Sequence, residues 1–233
     1  MTKEQSMILF DLDGTITDSA PGIINSVCYA LEKYGRKVEN KAELQCFVGP
    51  PLQKQFQEYT GAEDEDGGKL VEYYREYYQP KGIFENRVYE GILETVKTLR
   101  ELGFQTVIAT SKPEIFARQI AKHFDFARYF DFIGGSLLNG GRVKKAEVIE
   151  YVLESCGVRD RSKALMVGDR EHDILGAKEV GIKAVGVLYG YGDSTELSGA
   201  GADYLAEKPE ELLKIIRNQW VPSQSLQTSI QAR

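Results

Sequence analysis

Two aspartates separated by one residue follow the first apolar run of the chain. The run 7–10 leads into the sequence DLDGT at residues 11–15, and the two-residue period of a strand directs Asp11 and Asp13 to the same side. Two carboxylates this close repel each other unless a cation or a proton lies between them. Mg²⁺ suits such a site because it prefers hard oxygen ligands and is commonly held by carboxylates together with a substrate phosphate. One carboxylate can then attack phosphorus while the other transfers a proton.

Further polar residues follow two later apolar runs. Thr110 and Ser111 follow the run 104–109, and Asp169 follows the run 163–167. Ligands of open α/β sheets bind at the carboxyl ends of the strands, so we expect Asp11, Thr110 and Asp169 to converge. Gly14 permits the close turn that brings backbone N–H groups towards phosphate oxygens. A simple turn after the strand remains an alternative for DLDGT, and capping of the next helix, opened by a proline at residue 113, remains one for Thr110.

The aspartates at positions 169 and 173 are four residues apart. They share one helical face if Arg170 begins a helix. The alternative is that both are acids at a helix N-terminus, where the helix dipole favours negative charge. Because the chain carries a net charge of −6, positive charge for a bound phosphoryl group must come from a metal ion and a nearby lysine.

The spacing of the apolar runs predicts the elements that position these residues. Six runs, at 7–10, 104–109, 130–133, 163–167, 183–188 and 204–206, alternate with helical patterns. This alternation favours an α/β fold with a Rossmann-like, mostly parallel sheet covered by helices on both faces. Roughly ninety residues separate the first two runs, whereas a crossover between parallel strands needs on the order of a dozen. We therefore predict an inserted helical cap.

The predicted boundaries follow from these patterns. Residues 1–18 and 81–217 form the core, residues 19–80 form the helical cap, and residues 218–233 form a mobile tail. Within the cap, helices are predicted at 21–34, 42–47, 52–59 and 69–78. The acidic, glycine-ending segment 63–68 is expected to be a solvated loop.

Composition excludes several classes of protein. A net charge of −6 and a pI near 5.2 argue against a nucleic-acid polymer as partner, which needs clustered Lys and Arg. No stretch approaches the ~20 apolar residues of a membrane span, and the first residues lack a signal pattern, so we expect a cytosolic protein without membrane contact. The three cysteines match neither a disulfide framework nor a zinc spacing. The oligomeric state is not predictable.

Taken in order, four motifs carry a resemblance to a known family. DLDGT, a strand ending in Thr110, a lysine and GDREHD at residues 168–173 resemble the motif series of the haloacid-dehalogenase-like superfamily, over nearly the whole chain up to about Ile216. The resemblance implies a Mg²⁺-dependent phosphatase in which Asp11 is the nucleophile and a metal ligand. It also implies that Asp13 is the general acid and base, with a backbone carbonyl on the metal.

The same resemblance assigns the remaining site residues. Thr110 looks like the hydroxyl that holds the transferring phosphoryl group, with Ser111 and Gly14 supporting the site. Lys145 looks like the lysine that orients Asp11, although the adjacent Lys144 leaves the register open. Asp169 looks like the second acidic metal ligand, and Asp173 looks like its support.

A finer resemblance concerns the substrate. The sequences DSAPGIINSVCYAL, FVGPPL and GGRVKKAEVI resemble the phosphoglycolate-phosphatase-like group and a 5′-nucleotidase-like branch within it. This resemblance implies a small phosphorylated substrate, of the phosphoglycolate or the nucleoside-monophosphate type, selected by the cap as a lid. Four tyrosines of the cap (Tyr73, Tyr74, Tyr77 and Tyr78) fall on one helical stripe, which is either cap core or a surface that stacks a nucleobase.

Three other functions compete with hydrolysis. A phosphomutase of the same superfamily would share all four motifs. A haloalkanoate dehalogenase needs neither a metal nor an acid at the second position of the pair, so Asp13 argues against it. A receiver-type signalling module also combines strand-end Asp, Thr and Lys with Mg²⁺, but its acceptor is not the first Asp of a pair followed by an inserted cap.

Overall fold

The computed structural model describes residues 5–220. Within them the strands are β1 (Met7–Phe10), β2 (Thr17–Asp18), β3 (Arg87–Val88), β4 (Gln105–Pro113), β5 (Phe132–Ser136), β6 (Ala164–Gly168), β7 (Lys183–Val187) and β8 (Tyr204–Ala206). The helices are α1 (Ala20–Lys33), α2 (Leu52–Thr60), α3 (Asp64–Tyr78), α4 (Ile92–Glu101), α5 (Glu114–His123), α6 (Lys145–Ser155), α7 (Glu171–Val180), α8 (Ser194–Ala200) and α9 (Pro209–Trp220). Within the described residues no helix is both long and apolar enough to cross a membrane.

Six strands form one sheet in the order β5-β4-β1-β6-β7-β8, and all neighbouring strands run parallel. The central strand β1 is buried on both faces: Ile8 and Phe10 belong to one apolar cluster, and Met7 and Leu9 belong to the other. Such an uninterrupted apolar strand is typical of a parallel sheet with helices on both sides. The predicted Rossmann-like α/β core is confirmed.

The strand order decides where the polar residues meet. Strand β1 lies between β4 and β6, with Phe10 opposite both Ile108 and Val167. The residues that follow these positions therefore lie at one edge of the sheet. Asp11 directly follows β1 there, and Asp169 directly follows β6. The predicted convergence of three distant segments thus results from two neighbouring strand pairs.

The inserted segment leaves and re-enters the core through a small sheet that the sequence did not reveal. Strands β2 and β3 pair antiparallel, and Arg87 lies 2.8 Å from Asp18 in an ion pair across them. Each strand has only two residues, too few for a periodic pattern. Between them, α1 and α2 both pack against α3, next to a 3₁₀ helix at Lys41–Phe47. The division into core and cap at residues 19–80 stays a prediction.

The prediction of a solvated loop at residues 63–68 is wrong, because helix α3 begins at Asp64. The acidic residues at 64–66 occupy its first turn, where the helix dipole stabilises negative charge. Gly67 is buried, and a Cβ there would lie 3.0 Å from Cγ of Gln57. The glycine therefore permits close packing of α3 on α2, and this tertiary contact outweighs the poor helix propensity of glycine.

Two other boundaries differ from the predictions. Pro113 ends strand β4 and is the N-cap of α5, which begins at Glu114, so the proline does not lie inside the first helical turn. Helix α9 continues to Trp220, so the predicted mobile tail 218–233 starts within a helix. The rest of that tail lies outside the described residues.

Candidate active site

A buried lysine joins two of the candidate acids. Lys145 is the first residue of α6, and its side chain is 3% exposed. Its Nζ lies 2.7 Å from Oδ1 of Asp11 and 2.7 Å from Oδ1 of Asp173. The adjacent Lys144 is exposed. The structure therefore brings Lys145, and not Lys144, to Asp11.

The charge of this lysine is held by its partners. Burial alone would lower the pKa of the Lys145 ammonium, but the carboxylates of Asp11 and Asp173 outweigh burial and raise that pKa. The ammonium therefore stays protonated at neutral pH and supplies a fixed positive charge beside Asp11.

Three buried carboxylates form a cluster around this point. Oxygen atoms of Asp11, Asp169 and Asp173 all lie within 4.8 Å of one another. Asp169 accepts hydrogen bonds from Oγ1 of Thr15 at 3.1 Å and from the backbone N–H of Tyr191 at 2.9 Å. Both bonds come from neutral groups, so no positive charge contacts this carboxylate among the described residues.

The pKa values of two carboxyl groups in the cluster are raised, as expected where positive charge is lacking. Burial, and then the neighbouring Asp173 and Asp11, raise the pKa of Asp169 well above its ordinary value. Burial also raises the pKa of Asp173, although Lys145 opposes the shift. A further cation would relieve this repulsion, and three carboxylates are the hard oxygen donors that Mg²⁺ prefers. The residues therefore fit a magnesium ion.

Gly14 brings the turn after β1 against Asp169. Its φ is +80°, in the left-handed region that favours glycine, and a Cβ there would lie 2.0 Å from Oδ2 of Asp169. No larger residue fits without moving this carboxylate. The supporting role of Gly14 towards phosphate oxygens stays a prediction, and the geometry shows a close approach to Asp169.

Asp13 is paired with a lysine that the sequence did not single out. The Nζ of Lys112 lies 2.9 Å from Oδ2 of Asp13 and 2.6 Å from the hydroxyl of Tyr78, at the end of α3. The Lys112 side chain is 7% exposed, and Oδ1 of Asp13 is buried without a hydrogen-bond partner among the described residues. Nothing in the sequence distinguishes Lys112 from a solvated lysine, because its partners Asp13 and Tyr78 come from distant segments of the chain.

Thr110 lies at the same edge of the sheet and is buried. Its Oγ1 accepts a hydrogen bond from the backbone N–H of Lys112 at 3.2 Å. It does not cap α5, whose N-cap Pro113 has no side-chain capping bond. Thr110 and Ser111 both line the cavity that opens beside Asp11.

A loop after β7 completes the site, and sequence reasoning missed it. Tyr191 donates its backbone N–H to Asp169, while its hydroxyl donates to Oδ1 of Asp18 at 3.0 Å and accepts from the N–H of Ala20 at 2.9 Å. The tyrosine therefore connects the acidic cluster to the segment that leads into α1. The glycines on both sides of Tyr191, at 190 and 192, could have indicated this loop in the sequence. A Cβ at either position would collide with Asp169.

A cavity of about 840 Å³ opens from Asp11 and Asp13 towards the inserted helices. Only two of the four tyrosines in the stripe of α3 line this cavity. Tyr74 and Tyr78 are buried and line the cavity, with their rings stacked at 5.1 Å. Tyr73 and Tyr77 instead pack towards α1, with the ammonium of Lys33 over the ring of Tyr73 and the ring of Tyr77 5.6 Å from that of Tyr29. The four rings therefore do not form one ligand surface.

The chain is similar in sequence and in structure to known phosphatases. The chain is 45% identical over 190 residues to a protein named 5′-nucleotidase from Pseudomonas aeruginosa, covering 82% of this chain and 86% of that protein. It is 27% identical over 226 residues to a phosphoglycolate phosphatase from Vibrio parahaemolyticus, covering 93% and 98%. The crystal structure of a predicted phosphatase from Clostridium acetobutylicum superposes with a TM-score of 0.87 at 45% identity, over 92% of this chain and 100% of that one.

These relatives confirm the resemblance to the phosphoglycolate phosphatase and 5′-nucleotidase group. Residues 8–187 match the family model described as haloacid dehalogenase-like hydrolase. This range runs from the second residue of β1 to the end of β7 and contains the acidic cluster. The protein therefore belongs to the haloacid dehalogenase-like hydrolase family.

Proposed function

We propose that this protein is a Mg²⁺-dependent phosphomonoester hydrolase that works through an aspartyl-phosphate on Asp11. The observation that carries the proposal is the cluster of Asp11, Asp169 and Asp173 at one edge of the sheet, with Lys145 2.7 Å from Asp11, beside a cavity of about 840 Å³. Phosphoryl transfer depends mainly on positioning and on neutralising charge, and this arrangement serves both needs.

In the first step, a carboxylate oxygen of Asp11 attacks phosphorus. The bond from phosphorus to the ester oxygen breaks, and Asp13 gives its proton to the leaving alkoxide. Lys145 fixes the orientation of Asp11 through the 2.7 Å contact, while Lys145 and Thr110 hold the phosphoryl oxygens. The products of this step are the free alcohol and the aspartyl-phosphate.

In the second step, a water molecule gives a proton to Asp13 and attacks phosphorus. The bond between phosphorus and Asp11 breaks, which releases inorganic phosphate and restores both aspartates. Lys112 faces Asp13 at 2.9 Å and holds the position of its carboxyl group.

The metal site draws on the same residues. Asp11, Asp169 and the backbone carbonyl of Asp13 would hold Mg²⁺, which when bound supplies positive charge that neutralises the phosphoryl oxygens. Asp173 supports the site from α7: it holds Lys145 at 2.7 Å and accepts the backbone N–H of Arg170 at 3.1 Å.

The substrate in this proposal is a small phosphorylated metabolite of the nucleoside-monophosphate or phosphoglycolate type. The printed names of the relatives support these two types, and the cavity has the size that small organic ligands need, about 300–1,000 Å³. A nucleic-acid polymer and a membrane are not partners in this proposal.

Phosphate release from a panel of phosphomonoesters tests the hydrolase. We expect turnover with Mg²⁺, none after chelation and recovery when Mg²⁺ is added back. Asp11→Asn should abolish turnover and leave the circular dichroism spectrum unchanged. Reduction of the acid-quenched enzyme with borohydride should convert Asp11 to homoserine, detected by mass spectrometry, and Asp11→Asn should show no such product.

Four outcomes would contradict the proposal. Full activity in chelator would exclude the metal role, and activity in Asp11→Asn would exclude the nucleophile. Isomerisation of a sugar phosphate without phosphate release would identify a phosphomutase instead. A stable phosphoprotein that never releases phosphate would identify a receiver-type module.

A further inference from the structure

The wall of the cavity beside Asp11 is largely apolar and aromatic. The inserted segment supplies Phe47, Leu52 and Val71, and the core supplies Leu138 and Leu175. Side chains of this kind do not contact the phosphate, which needs charged and polar partners. They face whatever group the phosphate is attached to.

Exposed apolar side chains concentrate at this cavity. Seven large hydrophobic residues of the described chain are at least 37% exposed, and four of them line the cavity: Leu137, Leu138, Val143 and Leu175, at 43–46%. Exposed leucines and valines normally occur singly over a protein surface. Their concentration around one concave site marks a contact for an apolar part of a ligand.

The cations of the cavity are already paired where they are buried. Lys112 pairs with Asp13, and Lys145 pairs with Asp11 and Asp173. Arg170 pairs with a glutamate of α8 at 2.8 Å and donates to a backbone carbonyl of the inserted segment at 2.9 Å.

The other basic residues that line the cavity are Arg75, Lys144 and His172. Arg75 is partly exposed and the other two are exposed, so water and salt screen their charge. A second anionic group on the substrate would therefore find no unpaired buried cation among the described residues, while Asp11 and Asp13 repel it.

We infer that the preferred substrate carries an uncharged leaving group with a ring-sized apolar part, such as a nucleoside or an aryl-substituted alcohol, and not a short carboxylic acid. This inference rests on the proposed hydrolase function and specifies its substrate class. A two-carbon acid would fill a small part of the 840 Å³ cavity and leave the apolar wall in water. A ring-sized group covers that wall and removes apolar surface from water.

A series of alkyl phosphates separates apolar contact from chemical reactivity. Ethyl, butyl and benzyl phosphate have unactivated alcohol leaving groups of similar reactivity and growing apolar area. We expect kcat/KM to rise by about fourfold for each added buried methylene, with benzyl phosphate and a nucleoside 5′-monophosphate the best substrates. Phosphoglycolate, which adds a carboxylate to the two-carbon skeleton, should be no better than ethyl phosphate.

Two leucine variants locate the contact. Leu138→Asn polarises the cavity wall and should lower kcat/KM for benzyl phosphate by roughly tenfold, mainly through KM, with ethyl phosphate unchanged within about twofold. Leu102→Asn is the matched control, because Leu102 is 39% exposed, follows α4 and does not line the cavity. It should change neither substrate.

The outcomes distinguish the inference from the function on which it rests. If no ester releases phosphate in the presence of Mg²⁺, the proposed hydrolase itself is wrong. If esters are hydrolysed but ethyl and benzyl phosphate react equally, or phosphoglycolate is the best substrate, the hydrolase stands and the apolar leaving group is refuted. Equal effects of Leu138→Asn and Leu102→Asn would also refute it.

Discussion

Replacing Lys145 by methionine tests the electrostatic centre of the site. The side chain is 3% exposed, and its ammonium lies 2.7 Å from both Asp11 and Asp173. Methionine retains an unbranched apolar stem of similar length and removes the charge. The variant therefore leaves two buried carboxylates without their cation while disturbing the packing of α6 little.

The magnitude follows from burial. Removing one partner of a buried ion pair costs about 3–5 kcal/mol, and the 13% exposure of the Asp11 side chain lets water offset part of it. We expect Lys145→Met to lower the free energy of unfolding by about 3 kcal/mol in chelator. Mg²⁺ should reduce this loss, since it supplies positive charge to Asp11. Turnover should fall by roughly 10²–10³-fold, as for loss of one group that stabilises transition-state charge.

Urea denaturation with and without chelator measures the stability, and initial rates of phosphate release measure the turnover. Lys144→Met is the matched control for stability, because Lys144 is the adjacent lysine and is exposed. It should change the free energy of unfolding by no more than about 0.5 kcal/mol. Unchanged stability of Lys145→Met in chelator would refute the energetic reasoning. Loss of turnover in Lys144→Met but not in Lys145→Met would refute the assignment of the lysine.

Three further predictions concern the acids and the turn beside them. Burial raises the pKa of the Asp169 and Asp173 carboxyl groups, which means that their ionised forms destabilise the folded protein. The metal-free protein should therefore lose stability as the pH rises from about 4 through the raised pKa values of these two groups. Urea midpoints across pH should show this fall in chelator and a smaller one with Mg²⁺, and a flat profile in chelator would contradict it. Asp169→Asn removes the negative charge that Asp173 and Asp11 repel, and it should stabilise the metal-free protein by about 1–3 kcal/mol at pH 8. The same variant should abolish Mg²⁺-dependent turnover. Destabilisation in chelator would show that the Asp169 carboxylate is already stabilised by its neighbours. Gly14→Ala should cost about 1–2 kcal/mol of backbone strain and raise the Mg²⁺ concentration needed for half-maximal activity, because its Cβ would lie 2.0 Å from Asp169. Gly35→Ala is the control, with φ of +88° and no atom near its Cβ, and an equal Mg²⁺ requirement in both variants would exclude the steric argument.

The positions of the strand-end residues could be predicted because they follow from short apolar runs in the sequence. A continuous apolar run forms a strand buried on both faces, and parallel strands bring their carboxyl ends to one edge of the sheet. This reasoning located Asp11, Thr110 and Asp169 from three distant segments, and the structure holds them at that edge. The acidic start of α3 was missed because the packing of Gly67 against α2 outweighs local propensity.

Other site residues depend on contacts that no pattern in the chain encodes. Lys144 and Lys145 are of the same residue type, but Lys144 is the N-cap with extended backbone and is exposed, whereas Lys145 begins α6 and is buried. Lys112 lies in β4, and its ammonium contacts Tyr78 of α3 at 2.6 Å and Asp13 at 2.9 Å. Tyr191 reaches Asp169 through its backbone, which carries no signal of residue type.

Short-range periodicity and residue type suffice to predict the parallel α/β core, the order of its motifs and the chemical kind of each acid. Contacts between distant segments settle which lysine lies beside Asp11, which tyrosines of α3 line the cavity, and that two of the three buried carboxylates, Asp11 and Asp173, share Lys145. Charge compensation and cavity shape arise between segments distant in the chain. They are therefore fixed by how those segments pack and not by the pattern within any one of them.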